Sequence, residues 1–145
     1  MSAQFKDGLS ARLGMEGVIE TGASGKSVLA YRATMDMCHS GGIVQGGFIT
    51  GWIDAAMAHA VLGASGYTLS PLSLEIKISF LRSAGPGLYH AEAWIERQGR
   101  STVFLEGRLL NEAGEVVAKG SSTGKLVKVS ADNRKVEAAI AGAGA

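Results

Sequence analysis

Between Gly46 and Gly66 the chain runs GGFITGWIDAAMAHAVLGASG, an almost wholly apolar stretch that carries one carboxylate, Asp54. Phe48, Ile49, Trp52, Ile53, Ala56, Met57, Ala60 and Val61 recur at helical spacing, and further apolar side chains fill much of the remaining circumference. A helix that is apolar nearly all round is a buried helix. A charge on such a helix is costly unless a neighbour pairs with it or the protein uses it. Any fold for this chain has to account for Asp54.

The 145 residues fit a single domain over 1–145, large enough for a substantial core. Hydrophobic residues make up 46% and charged residues 19%, which excludes global disorder. The net charge of +1 gives no overall field toward nucleic acid or an anionic membrane, so neither is expected as a partner. Cys38 is the sole cysteine, which rules out an intramolecular disulfide and fits a cytoplasmic location. The opening MSAQFKDGLSARLG lacks the uninterrupted apolar core of a signal peptide. The Gly46–Gly66 stretch reaches membrane-spanning length only by including Asp54, His59 and several glycines, so it reads as the core of a soluble protein.

Residues 2–13 suit a short amphipathic helix with Phe5, Leu9 and Leu13 on one side, and Gly14–Gly25 suits turns or an edge hairpin around Gly17–Thr21. Lys26–Met35 reads as a strand, and a loop over Asp36–Gln45 leads into the long helix. Ser73–Leu81 alternates, with Leu74, Ile76, Ile78 and Phe80 on one face and Ser73, Glu75, Lys77 and Ser79 on the other. Ser83–Gly87 is a turn, Leu88–Arg97 and Ser101–Leu110 form a hairpin, Asn111–Glu115 is the next turn and Val116–Val129 the last strand. The domain core is expected over about 26–129, with 130–145 a flexible or loosely helical tail. One long buried helix before four or five antiparallel strands is an α+β pattern, packed economically as a curved sheet around the helix. Tight turns leave no room for the crossovers that a parallel sheet needs.

Several motifs dissolve on inspection. Gly22-Ala-Ser-Gly25-Lys26-Ser27 imitates the end of a phosphate-binding loop, but Glu20 stands where a glycine is required and a strand follows instead of a helix. Ser122 and Lys125 have the spacing of a serine–lysine pair, yet alternation puts them on opposite faces of a strand. Cys38 and His39, with His59 and His90 elsewhere, form no recognisable zinc spacing, so no metal or cofactor is expected. His59 lies about 140° around the helix from Asp54, which suits a core or interface histidine.

What remains is His39-x-x-Gly42-x-x-Gln45-Gly46-Gly47, followed by Asp54. Gly46 and Gly47 carry no side chains to block a helix N-terminus, where unpaired N–H groups favour negative charge. A thioester carbonyl becoming an oxyanion would suit that position. Asp54 lies about 12 Å further along by helical rise, too far to act on a carbonyl held at its own Gly46. Antiparallel helices related by a two-fold axis would bring Asp54 of one chain to Gly46 of the other. The same residues also allow a plainer account, in which the glycines form a helix-start turn and Asp54 is a polar residue bonded to backbone or to Thr50.

The ordered combination of Gly42-x-x-Gln45-Gly46-Gly47, the acid seven residues on, SLEIKISFLRSAGPG and the Gly99-Arg100-Ser101 turn resembles the hotdog-fold acyl-CoA thioesterases, in the phenylacetate-degradation (PaaI-like) branch. The likeness runs from about Ser27 to Val127. It implies a curved antiparallel sheet around one long helix, dimers joined through the sheets and often tetramers, and hydrolysis of an acyl-CoA to free acid and CoA without a cofactor. By position, Asp54 matches the catalytic acid, as general base or nucleophile, and Gly46 the carbonyl-polarising N–H donor from the opposite subunit. Ser73 matches a serine that holds the attacking water, if the preceding loop has one extra residue. His39 falls where the family has Asn or Gln. Gly47, Arg97, Arg100 and Ser101 fall where the substrate and the nucleotide end of CoA are held. Gln45 departs from the family, which has His before the two glycines; Gln can hydrogen-bond there but cannot titrate.

The expected activity is therefore acyl-CoA hydrolysis by a homo-oligomer. The alternative is a non-catalytic acyl-CoA-binding or ligand-sensing protein on the same fold. A DNA-binding regulator lacks its helix-turn-helix and basic patch, and a hydratase lacks its acid–histidine loop motif. The acyl group is not legible: Trp52, Phe48 and Met57 could line a pocket or simply pack in the core.

Overall fold

The computed structural model describes residues 8–129. A short helix α1 (Gly8–Arg12) precedes strands β1 (Met15–Thr21) and β2 (Lys26–Ala33). A single 3-10 turn (Met35–Met37) leads to a two-residue hairpin, β3 (Cys38–His39) and β4 (Ile43–Val44), and then to the long helix α2 (Gly46–Ala64). Four long strands follow: β5 (Leu69–Phe80), β6 (Gly87–Gln98), β7 (Thr102–Leu110) and β8 (Val116–Lys128). The main sheet has six strands in the order β1-β2-β6-β7-β8-β5, every neighbouring pair antiparallel. The expected hairpin, turns and final strand lie where the glycine and proline punctuation put them. Gly14–Gly25 holds β1 and its turn into β2, and the Asp36–Gln45 loop folds partly into the β3–β4 hairpin. Of the amphipathic helix expected over 2–13, α1 is the described part, and its Leu9 is exposed. Phe5 and the 130–145 tail lie outside the described residues.

The sheet wraps α2. Trp52, Ile53, Ala56, Met57, Ala60 and Val61 pack onto the inward faces of the strands, with Leu29, Tyr31, Ala91, Ala93, Val103, Leu105, Leu109 and Val117 opposite. Trp52 and Met57 are core residues, as the simpler packing account has it. Gly107 lets the helix lie close: a Cβ there would stand 2.9 Å from Ile53 Cγ2 and 3.1 Å from the Glu92 carbonyl oxygen. The buried Ser27 hydroxyl donates to the Ala56 carbonyl and ties helix to sheet. Trp52 stacks between Tyr31 and Tyr89, with ring centroids at 5.5 and 5.7 Å, and its Nε1–H donates to Leu13 O at 2.7 Å. His59 is a buried core histidine: Nδ1–H donates to Ala55 O at 2.9 Å, leaving Nε2 as a buried acceptor with no partner.

One strand departs from simple alternation. Ser73 pairs with Gly124 and Glu75 pairs with Thr123, so Leu74 bulges out of the β5–β8 ladder. A bulge inserts one residue and shifts the side-chain phase of what precedes it. Ile76, Ile78 and Phe80 keep the helix-facing side that alternation predicts. Leu74 does not: it is 66% exposed, and Ser73 takes the helix-facing side instead.

Candidate active site

Asp54 is not buried within the subunit. α2 has one open strip, where Gly47 and Asp54 are exposed and Ala58 half-buried, while Leu13 lies over Gly51 beside it. The strip arises because β5, the last strand in the sheet order, leaves one flank of the helix uncovered. The sequence overstates the burial because small residues count as apolar whether or not anything lies over them. The Ser73 hydroxyl donates to Asp54 Oδ1 at 3.1 Å, so the β5 bulge supplies the acid's partner in the fold. Oδ2 stays available as an acceptor.

The helix start lies beside the other end of β5. A Cβ on Gly46 would stand 3.0 Å from Phe80 Cζ, so only glycine leaves this ring undisturbed. Among the described residues, the Gly46 N–H meets no acceptor outside its helix, and a first-turn N–H has none inside. Gln45 is the N-cap: its Oε1 accepts from the Gly47 N–H at 2.6 Å. Gln45 thus serves here as an acceptor, and the cap uses the Gly47 N–H.

A cleft of about 260 Å³ opens next to Gly46, lined also by His39, Ile43, Val44, Ile49 and the segment Phe80, Arg82, Ser83, Ala84. His39 is exposed, with Nδ1 3.0 Å from Ser40 Oγ. Arg82 Nη1 reaches Glu115 Oε2 at 3.5 Å, a loose surface pair. Cys38 is half-buried, its Sγ 3.5 Å from Thr34 O. Burial first, and then the negative charge of Asp54, push the Tyr31 phenol above its ordinary value. Its hydroxyl is buried without a partner.

Within one subunit these residues form three groups. Asp54 and Ser73 are in contact. Gln45, Gly46, Gly47 and His39 gather at the helix start, beside the C-terminal end of β5. Arg97, Arg100 and Ser101 are exposed at the β6–β7 turn, where Ser101 O accepts from Leu126 N; this is the opposite end of the sheet, since Phe80 pairs with Ala118. Sequence reasoning missed the cleft wall formed by Phe80, Arg82, Ser83 and Ala84. The run SAGPG marks a turn, but nothing in it signals that Ala84 O accepts from Val44 N at 2.8 Å and so folds the segment onto the helix start. Among the described residues no group of three or more His, Cys, Asp or Glu side chains could hold a metal ion, and no helix is long and apolar enough to cross a membrane.

A curved antiparallel sheet wrapped around one long helix, with an acid on the helix and glycines at its start, defines a hotdog-fold protein. The chain belongs to the thioesterase superfamily, whose family model matches residues 41–118. Among solved structures, a conserved protein of Pseudomonas aeruginosa superposes with a TM-score of 0.77 at 22% identity, covering 86% of this chain and 97% of that one. The PaaI protein from the phenylacetic acid degradation operon of E. coli superposes with a TM-score of 0.74 at 23% identity, covering 81% and 83%. A Streptococcus mutans protein bound to acetyl CoA gives a TM-score of 0.70 at 17% identity, covering 77% and 88%. At these identities the likeness is one of fold. None of the curated proteins matches the sequence.

Proposed function

We propose that this chain is an acyl-CoA thioesterase of the PaaI-like kind whose site is completed by a second subunit. The observation that carries this reading is the Ser73–Asp54 hydrogen bond, on the one open strip of an otherwise buried helix. An acid oriented by a hydroxyl, with one oxygen left to accept, suits a general base. Asp54 takes a proton from water as the oxygen attacks the thioester carbonyl. The Gly46 N–H stabilises the oxyanion, and collapse of the tetrahedral intermediate expels CoA thiolate, which gains the proton. The acetyl CoA held by the Streptococcus mutans relative supports a CoA ester as substrate. Arg97, Arg100 and Ser101 supply exposed cations and a hydroxyl for the nucleotide phosphates. His39 stands at the cleft to orient water or the thioester, and Gln45 fixes the helix start.

The distances favour a site made by two chains. Gly46 and Asp54 are separated by about 12 Å of helix, and their neighbours Phe80 and Ser73 by about 20 Å of strand. β5 is a twelve-residue edge strand that exposes Leu72 and Leu74. Pairing two such edges antiparallel, with the axis near Ile76 and Lys77, sets Phe80 opposite the partner subunit's Ser73. Gly46 then approaches the partner subunit's Asp54.

The test is complementation. Asp54→Ala and Gly46→Val subunits, each inactive alone, are unfolded together and reassembled, and thiol release from a panel of acyl-CoA esters is measured. A shared site predicts recovery to about one quarter of wild-type activity, since half the dimers are mixed and each has one intact site. Thiol release that stays at zero in the mixture overturns the shared site. Unchanged turnover in Asp54→Ala overturns the assignment of the acid, and CoA-ester binding without thiol release by the wild type would favour the non-catalytic alternative.

A further inference from the structure

The cleft at Gly46 has a graded lining. Val44, Ile49 and Ala84, each 3–4% exposed, form its floor, while Ile43 and Phe80 stand at the rim, 39% and 53% exposed. Hydrocarbon thus makes up the floor and the side nearest Gly46. A thioester held at the Gly46 N–H has two arms. The CoA arm carries amides and phosphates, for which an apolar floor offers few partners; the acyl arm needs only exclusion from water. Phe80 decides how much room that arm has, because its ring abuts the first turn at Gly46 and faces the cleft. By proportion with a 150 Å³ cavity that binds benzene, 260 Å³ accommodates about ten carbons.

We propose that this cleft seats the acyl arm and that Phe80 limits its length, making the protein selective for apolar acyl groups of about ten carbons or fewer. The proposal rests on the thioesterase reading. Phe80 acts here as a specificity residue and takes no part in proton transfer.

The full chain is assayed as wild type, Phe80→Leu and Phe80→Ala on straight-chain acyl-CoA esters from four to sixteen carbons, with kcat/KM read by thiol release. Calorimetry on the matching non-hydrolysable thioethers is run in parallel. For the wild type, kcat/KM should climb by about fourfold per added methylene while the chain fits, then fall. In Phe80→Ala the maximum should move to longer chains, raising the ratio of fourteen- to eight-carbon activity by tenfold or more, with Phe80→Leu between. Identical length profiles in the wild type and Phe80→Ala overturn the proposal, as does a wild-type preference still climbing at sixteen carbons. If the wild type cleaves no ester, the thioesterase reading fails, and the thioether affinities decide the length limit alone. A cut-off that moves with Phe80→Ala upholds it, and a length-independent affinity sinks it.

Discussion

The two edges of the sheet are built on opposite plans. β1 is seven residues long, has two register irregularities against β2, and carries Glu16 and Glu20 along it. Short, irregular, charged edges resist pairing with another chain. β5 is twelve residues long, has a single bulge, and presents Leu72 and Leu74 to solvent. The elements beside them differ in kind too. Next to β1 and β2, the chain before α2 is bound in: Trp52 donates to Leu13 O, Leu13 rests against Gly51, and Tyr31 stacks on Trp52. Next to β5, the helix is open and its acid exposed. On the proposed two-chain reading, one edge serves stability and the other an encounter. Changes on the β1 side should cost stability and spare chemistry, and changes on the β5 side should do the reverse.

The largest expected effect is at the acid. Asp54→Asn keeps the shape and the Ser73 contact but cannot take a proton, so kcat should fall by about 10³-fold or more while the melting temperature barely moves. A comparable loss of stability would break the contrast. Next comes the edge itself. Lysines at both Leu72 and Leu74 put charge on the edge that the proposed partner subunit would pair with, and should convert dimer to monomer in sedimentation while activity falls in step. Ile19→Lys on β1, also exposed, should change neither measurement.

Ser73→Ala leaves Asp54 exposed but unoriented, and should lower kcat by roughly tenfold with KM little changed. On the β1 side, Trp52→Phe removes the bond to Leu13 O and part of a buried ring, costing about 1–3 kcal/mol in denaturant unfolding with turnover per folded molecule intact. The smallest effect is at Tyr31. Its buried hydroxyl has no partner, so Tyr31→Phe should lie within about 1 kcal/mol of wild type at neutral pH. The folded protein holds this phenol neutral beyond its ordinary value of 10.0, so its contribution is complete below that pH and fades as pH rises toward the folded value. Tyr31→Phe should therefore flatten the alkaline limb of the stability curve.

Much of this fold is legible in the sequence because its signals are local. The long helix announces itself through its apolar spacing, and β6, β7 and β8 through alternation between glycine-marked turns. The candidate site is legible only in part. Asp54 and Gly46 stand out because a charge and a glycine pair are rare in their surroundings. The cap formed by Gln45 was not legible, since its sequence neighbours do not say which end of the amide meets the backbone. Neither was the role of Phe80, because a strand-end phenylalanine reads as core whether it meets the helix flank or, as here, the bare first turn. The exposure of Asp54 was hidden for a related reason: composition registers what a helix is made of and not which flank the sheet leaves open.

The Leu74 bulge acts on its strand as a frameshift acts on a message. Downstream, Ile76, Ile78 and Phe80 keep one reading, while upstream every residue changes sides without any change in its identity. A pattern that spells hydrophobic-in through Leu74 delivers instead a serine to the acid and a leucine to the surface. A single inserted position thus writes two messages in one strand, a packing code at one end and a polar contact at the other. Deleting Leu74 would close the ladder into regular alternation and leave Ser73 facing Asp54, which marks Leu74 as the inserted letter.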